Sequence, residues 1–280
     1  MSSYVWLNGS ILPRAEARLS PWDQGLLVGE GVFETLVARD GVVIAFYEHW
    51  MRLNRSCAAL GLTSPAEEEC LAALHQVITA NALSDARLRI TISSGEVSLA
   101  ADLSPNKQNM WVMAAPLPVW PETERVCLSP WTVNERGALA GVKSVSYGEN
   151  VLSLRYAKAR GCGEALMLNT KDELCEGTGS NIFIVTDGAL FTPPLSSGCL
   201  PGVTRLLVLD ACRLAGIACH EQTIPEIWLD QCEEAFLTSS TRDIHPIGSL
   251  KGRQLYTVGD VTRSVQQAYF ESLEKMKVAK

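Results

Sequence analysis

The sequence is short of the features that would mark a nucleic-acid binder, a membrane protein or a metalloprotein. Only 20 % of its 280 residues are charged, and 31 Asp and Glu outnumber 24 Lys and Arg to leave a net charge of −7. A surface of that sign repels polyanions, which excludes general binding to nucleic acid or anionic membrane. It does not exclude a local positive pocket for a small anion. No apolar run reaches the ~18–20 residues of a membrane helix, and the opening Met1–Trp6 lacks the basic and apolar regions of a signal peptide. No two of the nine cysteines form a Cys-x-x-Cys pair, so neither a zinc site nor a thioredoxin-type motif is indicated. His49, His75, His220 and His245 are scattered, and no metal is expected. Gly-x-Gly-x-x-Gly, Gly-x4-Gly-Lys-Ser/Thr and His-Glu-x-x-His are all missing, as are repeats and low-complexity tracts. These absences predict a reduced, soluble, cytoplasmic protein whose cysteines serve as small core residues.

What remains is a chain built to fold. Hydrophobic residues make up 47 %, enough for one large or two ordinary cores. Pro116, Pro118 and Pro121 stand within six residues, disfavouring both helix and central strand. That segment predicts a boundary between residues 1–117, a small N-terminal domain, and 118–280, a larger C-terminal one.

Local patterns fill in the elements. Tyr4–Leu7, an Asn8-Gly9 turn and Ser10–Leu12 read as a hairpin. Gly31–Val37 reads as a strand. Tyr47–Leu60 reads as a helix with Trp50, Leu53, Cys57 and Leu60 as its apolar stripe and Gly61 just past its end. A second helix is expected over Glu67–Asn81. Arg87–Ser93 alternates, with Leu88, Ile90 and Ile92 on one side and Arg87, Arg89 and Thr91 on the other. Beyond the prolines, helices are expected over Asn150–Arg160, Val203–Leu214 and Gly259–Lys275. Strands are expected over Glu164–Asn169, Asn181–Val185, Ala189–Phe191 and Glu234–Thr238. Strands and helices mix without strict alternation, which points to an α+β fold rather than a Rossmann fold or barrel.

Three motifs carry chemistry. Lys143 lies in Gly141-Val142-Lys143-Ser144-Val145-Ser146-Tyr147. Glu176 opens Glu176-Gly177-Thr178-Gly179-Ser180-Asn181-Ile182-Phe183. Leu200-Pro201-Gly202-Val203-Thr204-Arg205 leads into a helix. An amine nucleophile, a lone carboxylate in a glycine-rich turn and a helix start suited to an anion point together to pyridoxal phosphate. Read alone, Lys143 is a surface lysine and Glu176 a hairpin glutamate; read in register, they are functional.

With Gly31-Val32-Phe33-Glu34-Thr35 and Glu48-His49-x-x-Arg52-Leu53 added, the chain resembles the class-IV (fold-type IV) pyridoxal-phosphate enzymes. Branched-chain aminotransferases, D-amino-acid aminotransferases and 4-amino-4-deoxychorismate lyases belong to that family. The resemblance runs from Trp6 to about Pro246. It implies a fold of two α+β domains with the cofactor in the cleft between them. It also implies that Lys143 holds the cofactor as a Schiff base and shuttles the substrate α-proton. On the same resemblance Glu176 pairs with the pyridine nitrogen, and Tyr147 hydrogen-bonds the phenolic oxygen. Arg52, Ser240 and the backbone at Val203 and Thr204 are expected to bind phosphate. By periodicity alone, Arg52 falls on the solvated side of its helix. His49 is expected to pack.

Substrate carboxylates need cations, and the candidates are Arg87, Arg89 and Arg242. Each is equally at home on a solvated surface. Arg89 falls where branched-chain enzymes also have arginine, but the arginine those enzymes carry on the Phe33 strand is replaced by Val37. The loop Glu96-Val97-Ser98-Leu99 lacks the Arg-x-His pair of the D-amino-acid enzymes and the Gly/Tyr-rich segment of the lyases. The expected reaction is amino transfer between an amino acid and a 2-oxo acid with ping-pong kinetics. The alternatives are a lyase releasing pyruvate and 4-aminobenzoate from aminodeoxychorismate, and a non-catalytic binder of the cofactor or an anionic metabolite. The resemblance also implies a homodimer.

Overall fold

A computed structural model describes residues 3–96, 107–255 and 258–278. The part of the Glu96–Leu99 loop at 97–99 lies outside them. The chain divides into two compact units: Met1–Pro118 with Val142–Ser146, and Val119–Gly141 with Tyr147–Lys280.

The first unit contains β1 (Tyr4–Leu7), β2 (Ser10–Pro13), the short α1 (Gln24–Leu27), β3 (Gly31–Arg39), β4 (Val42–Val43), α2 (Phe46–Ala59), α3 (Glu67–Ala80), β5 (Ala86–Ser93) and β6 (Asn109–Ala115). The strands form one antiparallel sheet in the order β2-β1-β6-β5-β3-β4. The hairpin turn uses Asn8 and Gly9 at φ 47° and 93°, as a two-residue turn requires. Period-two alternation sends Val32, Leu36, Leu88, Ile90 and Ile92 into a core with Leu53, Cys57, Cys70, Leu74 and Val77 from α2 and α3. The opposite face of β5 is less open than its polar residues suggest, for Thr91 and Ser93 are buried.

On α2 the buried face is not the expected stripe. It holds Phe46, His49, Arg52, Leu53, Ser56 and Cys57, while Trp50 is half-buried. The helix is turned toward its polar residues because Glu34 occupies a core-facing position on β3 and needs partners there.

β4 pairs only with Ala38 and Arg39, so the outer edge of β3 stays open at its start. Val142–Ser146 fills that edge. Phe33 N donates to Lys143 O at 2.9 Å and Val145 N to Gly31 O at 2.9 Å, with Ser144 opposite Val32.

The second unit contains β7 (Glu124–Leu128), α4 (Gly148–Lys158), β8 (Glu164–Leu168), β9 (Leu174–Gly177), β10 (Asn181–Thr186), β11 (Ala189–Thr192), α5 (Val203–Ala215), β12 (Cys219–Glu221), β13 (Glu234–Ser239), β14 (Asp243–Leu250), β15 (Arg253–Gln254) and α6 (Asp260–Val278). The sheet order is β12-β11-β10-β13-β14-β7-β8-β9, with β15 on β14. β7 runs parallel to both β8 and β14, and α4 makes the β7–β8 crossover that parallel neighbours need. The interior holds Val126, Leu166, Leu174, Ile182, Ile184, Leu237 and Ile247.

β14 is a strand that the sequence conceals, because it contains Pro246 and Gly248. Pro246 is tolerated because pairing with β7 begins only at Ile247, and the register shifts between Ile247 and Ser249. No helix among the described residues is long and apolar enough to cross a membrane. All nine cysteines are free, and six are buried.

Candidate active site

Strand register decides where Lys143 points. With Ser144 opposite Val32 on the core face, alternation puts Lys143 beside Phe33 on the other face. Its Nζ lies 4.5 Å from the Phe33 ring centroid, and the Arg89 Cζ lies 3.7 Å from the same centroid. Both are cation–π distances. Arg89 Nε donates to Thr91 Oγ1 at 3.1 Å, which fixes the guanidinium plane. The Lys143 backbone is further held by a 3.4 Å bond from its N to Ser56 Oγ on α2. Gly31 is required here, because a Cβ would stand 2.6 Å from the Ile92 carbonyl oxygen and press on Val145. Arg87, on the same side of β5, is exposed. The structure thus brings Lys143 and Arg89 to one ring and leaves Arg87 apart.

Behind that face lies a buried ionic cluster. Glu34 accepts from Arg52 Nε at 2.8 Å and Nη2 at 2.7 Å, a fork-to-fork pair. His49 Nδ1–H donates to Glu34 Oε2 at 2.7 Å. Burial pushes the Glu34 carboxyl upward, but the charge and hydrogen bonds of Arg52, with those of His49, outweigh it and hold the group well below the usual carboxylate range. Burial lowers the His49 pKa; Glu34 opposes this, and the charges of Arg52 and Lys143 add to it. Arg52 is therefore buried, not solvated as its helical phase suggests. Glu34 is the anion that holds Arg52 and His49, and its place between Val32 and Leu36 on the core face marks it as buried.

The second unit holds Glu176, Tyr147, Ser240 and the start of α5. Glu176 on β9 accepts from Leu200 N at 2.9 Å through Oε2. Asn181, at the start of β10, donates from Nδ2 to Leu200 O at 2.8 Å. Gly202 packs so closely that a Cβ there would overlap Asn181 Oδ1. Gly202 is the N-cap of α5, and no side chain caps that helix start, where Val203 and Thr204 lie buried. Uncapped N–H groups and the helix dipole suit an anion. Asn181 is opposite Thr238 on β13, which places Ser240, two residues on, at the same end of the sheet. Thr238 Oγ1 is buried there without a hydrogen-bond partner.

Tyr147 precedes α4 and donates from its hydroxyl to Thr178 O at 3.0 Å. Arg242, considered above for substrate, is engaged elsewhere. It contacts Glu124 at 2.8 Å and Glu164 at 3.9 Å, donates to His245 Nδ1 at 2.7 Å, and stacks at 3.7 Å on Trp120. His245 Nε2–H donates to Pro121 O at 2.8 Å. Burial, reinforced by Arg242, lowers the His245 pKa. Among the described residues no group of three or more His, Cys, Asp or Glu could hold a metal ion.

Each unit by itself holds groups of the kind that a phosphorylated pyridine needs: the first an amine, the second a carboxylate, an uncapped helix start and a hydroxyl turn.

Comparison with known proteins gives the family and the fold. The amino-transferase class IV family profile matches residues 31–250. A Methanocaldococcus jannaschii protein assigned as a branched-chain-amino-acid aminotransferase is 32 % identical over 274 residues, covering 95 % of this chain and 94 % of its own. A Bacillus licheniformis D-alanine aminotransferase is 28 % identical over 96 % of each chain. A Thermoproteus uzoniensis branched-chain aminotransferase, solved with norvaline, superposes with a TM-score of 0.91 at 29 % identity, covering 98 % of this chain and 96 % of that one. The chain belongs to the amino-transferase class IV family, with the fold of the fold-type IV enzymes.

Proposed function

We propose that this chain is a pyridoxal-phosphate-dependent transaminase, moving an amino group between an amino acid with an apolar side chain and a 2-oxo acid. The observation that carries the reading is the Phe33 ring shared by the Lys143 amine and the Arg89 guanidinium. It supports one group for covalent chemistry and one for a substrate carboxylate on the same strand face. Pyridoxal phosphate, when bound, supplies the electron-withdrawing ring.

In this reading Lys143 would tether the cofactor through its amine and would carry the proton to and from the substrate α-carbon. Glu176 holds a positive charge on the ring nitrogen. Tyr147 orients the phenolic oxygen. The α5 N–H groups at Val203 and Thr204, with Ser240 and Arg52, hold the phosphate. Arg89 binds the α-carboxylate. Arg87 is left to solvent and Arg242 to its carboxylates. Val37, apolar and on the same face of β3 as Phe33, offers no charge to a second substrate carboxylate. The relatives named for branched-chain amino acids and D-alanine, and the norvaline in the Thermoproteus structure, support the apolar side chain. Nine free cysteines support a reducing, cytoplasmic setting. We read the working form as a homodimer.

The test is an absorbance titration of the cofactor-loaded protein with L- and D-amino acids, alongside Lys143→Ala. Conversion to the amine form by an apolar amino acid of one hand, abolished by K143A, is expected. Pyruvate release from aminodeoxychorismate, with no response to any amino acid, would identify a lyase instead. Silence in both assays would leave a non-catalytic binder.

A further inference from the structure

We infer that Glu164 and Arg242 are positioning residues that brace the turns carrying Glu176 and Ser240; the inference rests on the site reading just given. Glu164 is buried at the start of β8. Its Oε1 accepts from Thr178 N at 3.1 Å and from the Thr178 hydroxyl, and its Oε2 accepts from Ser180 Oγ at 3.2 Å. The Thr178 carbonyl in turn receives Tyr147 Oη at 3.0 Å and Asn150 Nδ2 at 3.0 Å. Glu164 therefore grips the turn just past Glu176, and the same residue, Thr178, anchors Tyr147.

The other arm runs through Arg242, which lies two residues beyond Ser240 in the β13–β14 turn. Its Nη2 is 3.9 Å from Glu164 Oε2, its Nη1 donates to Glu124 Oε2 at 2.8 Å, and its guanidinium lies on Trp120. Trp120 Nε1 donates to Thr241 O at 2.8 Å, closing the arm onto the turn itself. A buried ion pair is a poor device for stability alone, since apolar packing does as well. What sets this one apart is its connectivity. One arm ends on the turn beside the ring-nitrogen carboxylate and the phenol, the other on the turn with the phosphate hydroxyl.

Glu234 supplies the control. It is also buried and accepts from Val261 N at 3.3 Å, Thr262 N at 2.8 Å and Thr262 Oγ1 at 2.5 Å, at the start of α6 and bonded to none of the candidate site residues. Native protein and the variants Glu164→Gln, Arg242→Gln, Arg242→Lys and Glu234→Gln are to be compared by apo-protein melting, pyridoxal phosphate dissociation constant, and the pH midpoint of the bound cofactor's absorbance. E164Q and R242Q are expected to weaken binding about ten-fold or more and to move the midpoint, with partial rescue in R242K. E234Q is expected to lower melting alone. Should R242Q fail to fold, Thr178→Val removes one bond of the brace and is read the same way. Affinity and midpoint unchanged in E164Q and R242Q would overturn the inference while the site reading stands. A native protein that takes up no pyridoxal phosphate would fail the site reading itself.

Discussion

Glu34 is fully buried, yet it is the anion on which Arg52 and His49 depend. Removing its charge strands a buried guanidinium, and breaking such a pair costs about 3–5 kcal/mol. Glu34→Gln should lose that much in denaturant unfolding at pH 7.5. The pH dependence has a definite sign. His49, lowered from 6.5, stays neutral in the fold while the unfolded chain takes up a proton, so stability falls as pH drops below about 6.5. Glu34, lowered from 4.5, adds a second loss as pH falls below about 4.5 toward its folded value. Unfolding curves from pH 7.5 to 4 should show stability falling throughout, and the E34Q variant should lack the loss below about pH 4.5. A stability maximum near pH 5 in the native protein would contradict the assignment. In the sequence this cluster was half visible. The motif residues stood out, but helical phase placed Arg52 in water, because phase counts apolar residues and cannot register a buried carboxylate on a neighbouring strand.

At the scale of elements, regular patterns were legible and interrupted ones were not. β5 read cleanly because Leu88, Ile90 and Ile92 alternate without exception. β14 was hidden by Pro246 and Gly248, which a strand tolerates only where its neighbour is missing or shifted, and that neighbour, starting at Glu124, is remote in sequence. The pairing of Val142–Ser146 with β3 was equally hidden, since it depends on an edge that β4 leaves uncovered. The start of α5 was legible as a helix start from Gly202 and the apolar run behind it. Its support was not, for Asn181 is fixed by the β10–β13 register rather than by anything nearby in sequence. Gly202→Ala therefore makes a pointed test. The new methyl meets Asn181 Oδ1, and overpacking of this kind costs about 1–3 kcal/mol. The variant should melt earlier and bind pyridoxal phosphate more weakly. If the overlap is the cause, adding Asn181→Ala should recover most of the melting temperature of the single Asn181→Ala variant; no recovery would place the cause elsewhere.

For the whole molecule, the feature to explain is apolar surface concentrated in one stretch. Leu19, Trp22, Leu26, Leu27 and Val28 are 42 %, 49 %, 72 %, 47 % and 67 % exposed. Scattered exposed leucines are ordinary, but five large apolar side chains within ten residues make a patch of the kind that marks an interaction surface. The segment is not loosely held. Asp23 is buried and accepts from Gly25 N at 2.8 Å, Ser93 Oγ at 2.7 Å and Asn109 Nδ2 at 2.7 Å, so α1 is pinned to the sheet with its leucines facing outward. A pinned apolar patch suits a second copy of the same chain, because an isologous contact pairs the patch with itself. Sedimentation should give twice the 30.5 kDa chain mass. Leu26→Glu places a charge in the middle of that contact and, at a position already exposed, should leave the melting of the isolated chain within about 0.5 kcal/mol of native. The variant should therefore sediment as a monomer that is still folded. A dimer that survives L26E unchanged would move the interface to another face, and a native monomer would remove it.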